Sequence, residues 1–134
     1  MTAATVVHPG PTLGYRVASN GAAMAYSPDH EPALAGLDGD PVWTSGYDLA
    51  ADVDLLLHDG QYSAAEYAQR VGWGHSSTVH AVAFAELAGV HRLALFHDDP
   101  DHDDGSLDRL VDEAKALSQR SEVVPGCEGT TFDV

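Results

Sequence analysis

Two short apolar runs, set among segments of helical composition, constrain the fold of this chain most strongly. The runs are Val53 to Leu57 (VDLLL) and Arg92 to Phe96 (RLALF), and polar residues bound both of them. Runs of this length and composition are typical of strands buried in the interior of a sheet. Their alternation with helical segments predicts an α/β or α+β architecture in which helices pack on a sheet.

The remaining elements follow from turn and cap residues. Asn20-Gly21 lies between the runs LGYRVA and AAMAY, which predicts a β-hairpin, and Pro and Gly residues predict a loop over about 27–42. The tail from Glu122 to Val134 is strand-like, with an interruption at Pro125-Gly126. Cap residues predict helices over Ser63 to Val71, from Ser76-Thr78 to about Ala88 before Gly89, and from Ser106 to about Arg120.

Length and charge limit the classes of protein that this chain can represent. With 134 residues the chain has room for one domain, and 44% hydrophobic residues exclude wholesale disorder. No apolar run approaches the ~20 residues that cross a bilayer. The net charge of −15 disfavours binding of long nucleic acid, because phosphate backbones are repelled. The single cysteine, Cys127, excludes an internal disulfide and fits a cytoplasmic location.

Histidine and aspartate residues stand at the ends of several predicted strands. A His-Asp pair directly follows VDLLL at His58 and RLALF at His97, whereas His8 and Asp29 flank the predicted hairpin. Loops beyond strand ends carry chemistry in layered α/β folds, and imidazole and carboxylate groups bind Zn²⁺, Mn²⁺ and Fe. A lone histidine at a strand end is more often a hydrogen-bonded surface residue than a ligand, so only their combination favours a metal site.

Five segments in order resemble one known family. They are HPGPTLGYRV, AYSPDHEP, DLLLHDGQYS, GWGHSS and RLALFHDDPDHDD. Together they are similar to the C-terminal half of metallo-β-lactamase-fold hydrolases, in the phosphodiesterase branch that includes ribonuclease Z. The resemblance implies half of an αββα sandwich, with one mixed sheet and helices on one of its faces.

The resemblance also implies a metal site. His8 matches a histidine that binds the second metal ion, Asp29 matches the aspartate that bridges two ions, and His97 matches the last histidine ligand. The implied cofactor is a divalent metal ion, most simply Zn²⁺, with Mn²⁺ or Fe as alternatives.

Three further residues match the catalytic part of the family pattern. His75 in GHSS matches a histidine that acts as general acid or stabilises the transition state. His58 and Asp59 match a loop whose carboxylate orients that histidine. A carboxylate beside His75 would raise the pKa of the imidazole and fix the ring.

The chain departs from the family pattern in one respect. The signature His-x-His-x-Asp-His, which supplies the first metal site, does not occur in it. The expectation is therefore a single domain over 1–134 that corresponds to a C-terminal half, weakly active or inactive alone. The free sheet face is expected to pair with the missing N-terminal half or with a second copy of the chain.

Three functions stay open at this point. The first is half of a dinuclear metal hydrolase, a phosphodiesterase that acts on a small phosphodiester. The second is a non-catalytic metal-binding or dimerisation module derived from that fold. The third is an unrelated small protein in which the histidines have no common role. The Trp73 segment and Tyr62 are candidates to line a pocket for a base or aryl group, although ordinary core packing explains them equally well.

Overall fold

A computed structural model describes all 134 residues. Six strands form one mixed sheet in the order β1 to β6. Their bounds are Thr2–Thr5, Leu13–Ser19, Ala22–Ser27, Leu55–Asp59, Arg92–Phe96 and Glu122–Pro125. Four helices accompany them, with α1 at Tyr47–Ala50, α2 at Ala64–Tyr67, α3 at Thr78–Ala88 and α4 at Asp104–Leu117. None of these helices combines the length and apolar content that a membrane crossing requires.

β2 pairs antiparallel with both β1 and β3, whereas the pairs from β3 to β6 are parallel. The predicted hairpin joins β2 to β3, and its register pairs Ser19 with Ala22 across a two-residue turn. Asn20 and Gly21 have φ values of 53° and 88°, the left-handed conformations that such a turn requires. From β3 onward the neighbouring strands run parallel, so their carboxyl ends meet at one edge of the sheet.

One face of the sheet and the helices form the core. Ala25 pairs with Leu56, Leu56 with Leu93 and Leu93 with Val123, and all four side chains are buried. They pack in one cluster with residues of α3 and with Ala114 of α4. The predicted fold class, a mixed sheet with its helices on one face, is confirmed.

The opposite face of the sheet is only partly covered. Side chains alternate between the two faces along a strand, so the neighbours of the core residues point away from the helices. On that side Leu13 is 43% exposed, Val17 41% and Tyr26 37%. Several large apolar side chains of this face are therefore open to solvent.

Helix α3 also holds the connection between α4 and β6. Glu86 accepts hydrogen bonds from the backbone N–H groups of Gln119, Arg120 and Ser121 and from the Ser118 hydroxyl, at 2.8 to 3.1 Å. Burial of the carboxyl opposes its ionisation, but these donors outweigh burial and lower the pKa of Glu86 to about 2. The ionised carboxylate thereby links α3 to the connection between α4 and β6.

Several predicted boundaries were wrong. Strand β4 begins two residues later than VDLLL and includes His58 and Asp59, because both are fully buried among hydrogen-bond partners. The helix predicted from Ser63 is one turn long and ends at Tyr67. Asp103, rather than Ser106, caps α4. Strand β1 was not predicted at all, since its sequence, TAAT, has no apolar alternation.

Candidate metal centre

Five candidate side chains meet at the edge of the sheet where the parallel strands end. Asp29 follows β3, Asp59 is the last residue of β4, and His97 comes directly after β5. His8 lies in the connection between β1 and β2, and His75 lies three residues before α3. Parallel pairing brings these distant parts of the chain together, because strand ends in register lie side by side.

The polar contacts among these residues are short. Nε2 of His97 lies 3.0 Å from Oδ1 of Asp29, and Nδ1 of His75 lies 3.9 Å from the same oxygen. Nδ1 of His75 lies 2.7 Å from Oδ2 of Asp59, which is fully buried. The rings of His75 and His97 stack at 4.9 Å, and the ring of His8 meets that of His75 edge-on at 5.7 Å.

These residues form two overlapping groups that suit a metal ion. In the first group, ligand atoms of His8, Asp29 and His75 all lie within 4.8 Å of one another. The second group consists of Asp59, His75 and His97 under the same limit. The predicted ligands are therefore divided between the groups, and His75, predicted as an acid, is common to both.

The donor chemistry fits a divalent cation. Imidazole nitrogens with carboxylate oxygens suit Zn²⁺ and also Mn²⁺ or Fe. Nδ1 of His97 is buried and has no hydrogen-bond partner, and this residue has a φ of 64°. A left-handed backbone at a non-glycine residue costs of order 1 kcal/mol and is concentrated at functional sites. His97 is thus held in a conformation that local preferences alone do not favour.

A tight turn and a glycine hold His8 in place. Nδ1 of His8 lies 3.1 Å from the Gly10 nitrogen and 3.0 Å from the Thr12 hydroxyl, so the ring is fixed by its own loop. Gly74 has a φ of 95°, and a Cβ atom at this position would overlap the His8 ring and lie 2.6 Å from Pro9. The loop that carries His75 therefore packs against His8 only because residue 74 is glycine.

A buried carboxylate that the sequence analysis missed anchors the same loop. Glu31 is 0% exposed and accepts hydrogen bonds from the Tyr67 hydroxyl at 2.9 Å, the Gly72 nitrogen at 2.7 Å and the Gly74 nitrogen at 2.6 Å. No basic side chain pairs with it, so backbone and phenol donors alone satisfy the carboxylate. Its only signal in the sequence was its position two residues after Asp29.

A second buried network joins His30 to His58. The Val7 N–H donates to Ser45 Oγ at 2.9 Å, and Ser45 Oγ lies 3.1 Å from Nε2 of His30. Nδ1 of His30 lies 2.9 Å from Nε2 of His58, whose Nδ1 donates to the Asp59 carbonyl at 2.8 Å. Burial lowers the pKa of His58 and lowers that of His30 well below its usual value, where the neighbouring His58 adds to the effect.

This network changes the interpretation of His58. Both of its ring nitrogens have protein partners and its side chain is fully buried, so the structure does not bring it to the cluster around His75. Its contacts instead connect the segment before His8 to the end of β4. The proposed catalytic role of His58 therefore gains no support from its position.

Asp59 and His75 form the closest charged contact of the site. The hydrogen bond from Nδ1 of His75 to the Asp59 carboxylate raises the pKa of the imidazole, against the opposing effect of burial. Nearby carboxylates, including Asp29, act in the same direction. Because Nδ1 of His75 is hydrogen-bonded to Asp59, its Nε2 is the nitrogen that can donate or accept a proton at the centre.

Comparison with known proteins agrees with this architecture. A family model described as "Beta-lactamase superfamily domain" matches residues 2–97. Ribonuclease BN of Escherichia coli O81 is 31% identical over 104 residues, which cover 78% of this chain and 34% of the relative. Ribonuclease BN of Shigella boydii serotype 18 is 30% identical over 115 residues, which cover 86% of this chain and 37% of the relative. The chain spans about a third of the length of these curated relatives.

Two solved structures share the fold. The metallo-β-lactamase fold protein YhfI from Bacillus subtilis superposes with a TM-score of 0.71 at 20% identity, over 96% of this chain and 47% of that protein. The short form of human tRNase Z gives a TM-score of 0.57 at 26% identity, over 73% of this chain and 35% of that protein. These likenesses agree with the sheet and helix arrangement described above.

Proposed function

Because this chain belongs to the β-lactamase superfamily, we propose that it supplies half of the active site of a divalent-metal-dependent phosphodiesterase. The observation that carries the proposal is the position of Asp29. Its carboxylate touches His97 at 3.0 Å and shares a ligand group with His8, so one residue links histidines from opposite ends of the site. The relationship to ribonuclease BN and tRNase Z proteins supports a hydrolase.

His8, Asp29 and His97 are the proposed metal ligands. A divalent cation held there would polarise a phosphoryl oxygen and make bound water a nucleophile near neutral pH. His75 holds a proton at Nε2 and gives it to the leaving oxygen, since its raised pKa favours the protonated ring. Asp59 accepts the hydrogen bond from Nδ1 and keeps the ring oriented for that transfer.

We further propose that residues 1–134 form one domain that a second unit completes. The partly exposed sheet face supports this proposal, as does the match to about half of YhfI. Removing this apolar surface from water favours association, against the entropy that association costs. The proposed partner is an N-terminal half that carries His-x-His-x-Asp-His, or a second copy of this chain.

The proposed substrate is a small phosphodiester rather than a long nucleic acid. The net charge of −15 opposes the approach of an extended phosphate backbone, whereas a single phosphodiester brings little charge to repel. The alternative function is a non-catalytic metal-binding or dimerisation module.

Metal binding by the purified chain tests the proposal first. Equilibrium dialysis should detect bound Zn²⁺, and Asp29→Asn should weaken binding at least about tenfold because a charged ligand is lost. Asp38→Asn, at an exposed loop position, is the control and should bind as the wild type does. A wild-type chain that binds no more Zn²⁺ than Asp29→Asn would refute the metal centre.

Hydrolysis of bis(p-nitrophenyl) phosphate tests the reaction. The chain alone should show a negligible rate, and a fast metal-dependent rate from it would contradict the half-site proposal. The chain fused behind a segment that carries His-x-His-x-Asp-His should hydrolyse the ester, and His75→Ala should lower that rate far more than it weakens metal binding. A folded fusion that binds metal without hydrolysis would favour the non-catalytic module.

A further inference from the structure

Among the six lysine and arginine side chains, Arg70 is the one without a polar partner. The guanidinium or ammonium group of each of the other five is hydrogen-bonded or ion-paired: Arg16, Arg92, Arg109, Lys115 and Arg120. The Arg70 guanidinium instead lies over two aromatic rings, 5.0 Å from the centre of Tyr62 and 6.0 Å from that of Trp73. Its N–H donors therefore stay free in a chain with 21 acidic residues.

This cation lies beside the candidate metal centre. Tyr62, the ring beneath the guanidinium, is only 3% exposed and meets the His75 ring edge-on at 6.2 Å. Trp73 stands two residues before His75, on the loop that Glu31 anchors, and it is 61% exposed. One buried ring thus contacts both the free guanidinium and the proposed acid, and the exposed Trp73 indole lies beside the guanidinium.

The guanidinium of Arg70 and the indole of Trp73 together suit a ligand that has both an anionic group and an aromatic ring. A guanidinium with free N–H groups binds phosphate through paired hydrogen bonds, and stacking on aromatic rings holds its plane fixed. An exposed indole stacks on aryl groups and nucleobases, each such contact being worth about 1 to 3 kcal/mol. The net charge of −15 disfavours anions over most of the surface, and the unpaired Arg70 guanidinium offsets that repulsion locally.

We propose that Arg70 and Trp73 form a substrate subsite for a phosphate ester that carries an aromatic group. Arg70 donates to the phosphate oxygens and Trp73 stacks on the aryl group or nucleobase, with Tyr62 as the platform beneath the cation. This inference rests on the proposed phosphodiesterase function and narrows its substrate from any small phosphodiester to an aromatic one.

Tryptophan fluorescence measures this binding without any turnover. The chain has two tryptophans, and Trp43 is 82% exposed, so Trp43→Phe leaves Trp73 as the single reporter. In that background, phenyl phosphate and adenosine 5′-monophosphate should quench the emission and bind about tenfold tighter than methyl phosphate or ribose 5-phosphate. Tighter binding of the nucleotide than of phenyl phosphate would identify a nucleobase as the stacked group, and equal binding a simple aryl group.

Substitutions of Arg70 test whether its guanidinium binds the phosphate group. Arg70→Gln should weaken phenyl phosphate binding about tenfold, and Arg70→Lys should weaken it in part, because lysine keeps the charge and loses the planar fork. Arg109→Gln, at an exposed position on α4, is the matched control. Equal affinity for phenyl and methyl phosphate, or equal binding by Arg70→Gln and the control, would overturn the inference.

Zn²⁺ dialysis of the same variants separates this inference from the proposed function. Arg70→Gln should bind Zn²⁺ as the wild type does, because Arg70 contacts none of the proposed ligands. Normal Zn²⁺ binding with no preference for aromatic esters would refute the subsite and leave the metal centre standing. Aromatic ester binding that depends on Arg70 in a chain that binds no Zn²⁺ would support the subsite and refute the metal centre.

Discussion

Replacing Glu31 by glutamine should loosen the loop that carries His75 while leaving the shape of the side chain almost unchanged. The carboxylate is buried and accepts three hydrogen bonds, from the Tyr67 hydroxyl and the Gly72 nitrogen on Oε1 and from the Gly74 nitrogen on Oε2. Glutamine has one acceptor oxygen and one amino group. Whichever way the amide turns, its amino group faces at least one donor of the loop.

The loss in the free energy of unfolding follows from the hydrogen bonds that Glu31→Gln breaks or weakens. In the better orientation the amide oxygen keeps the two bonds at Oε1, and the Gly74 N–H is left buried without an acceptor, which costs about 1 to 3 kcal/mol. The two remaining bonds lose their charge assistance, at about 1 kcal/mol each. Removing a buried charge returns part of this sum, so the expected loss is about 2 to 4 kcal/mol in the free energy of unfolding.

Urea unfolding followed by circular dichroism measures this loss. Glu128→Gln is the control, since Glu128 is exposed and makes no hydrogen bond with its side chain. Glu31→Gln should also weaken Zn²⁺ binding, because the loop packs on His8 through Gly74. If the free energy of unfolding of Glu31→Gln lies within about 0.5 kcal/mol of the control, other contacts hold the loop and the carboxylate does not anchor it.

Three further changes have expected outcomes of their own. Gly74→Ala should lower the free energy of unfolding by more than the matched control Gly129→Ala, and it should weaken Zn²⁺ binding. Both glycines have positive φ, but of the two only residue 74 adjoins an imidazole. Equal losses of stability by urea titration would contradict this. Asp59→Asn should lower the pKa of His75, measured by NMR of the ring protons, and an unchanged pKa would remove Asp59 as its cause. Glu86→Gln should cost about 2 to 3 kcal/mol at pH 6. The unfolded carboxyl titrates near pH 4.5 and the folded one near 2, so this difference should shrink as the pH falls between those values, and a constant difference would refute the assigned pKa.

Elements with strong local signals were predicted well. Strand β5 occupies the residues of RLALF, and α3 begins after Ser77 and ends before Gly89 in the left-handed conformation. The Asn20-Gly21 hairpin also forms as predicted. In each case the signal is local, since a buried run, a cap or a turn depends on a few adjacent residues.

The misplaced elements depend on distant partners. Strand β1 forms because its backbone pairs with β2. Its side chains show no alternation of apolar and polar residues that would predict a strand. Strand β4 continues through His58 and Asp59 because hydrogen bonds from other segments satisfy these polar groups in the interior. A sequence pattern assigns such residues to a loop, since burial of unpaired polar groups is costly.

The sequence by itself determined the fold class, the strand ends that carry histidine and aspartate, and the resemblance to one family. Only the tertiary structure decided which of those residues meet. His75 lies near Asp59 and Asp29, whereas His58 is hydrogen-bonded to His30 in a buried network. Glu31 anchors the loop that carries His75. The reason is physical: backbone preferences are local, whereas side chains converge through strand register and through the need to satisfy every buried polar group.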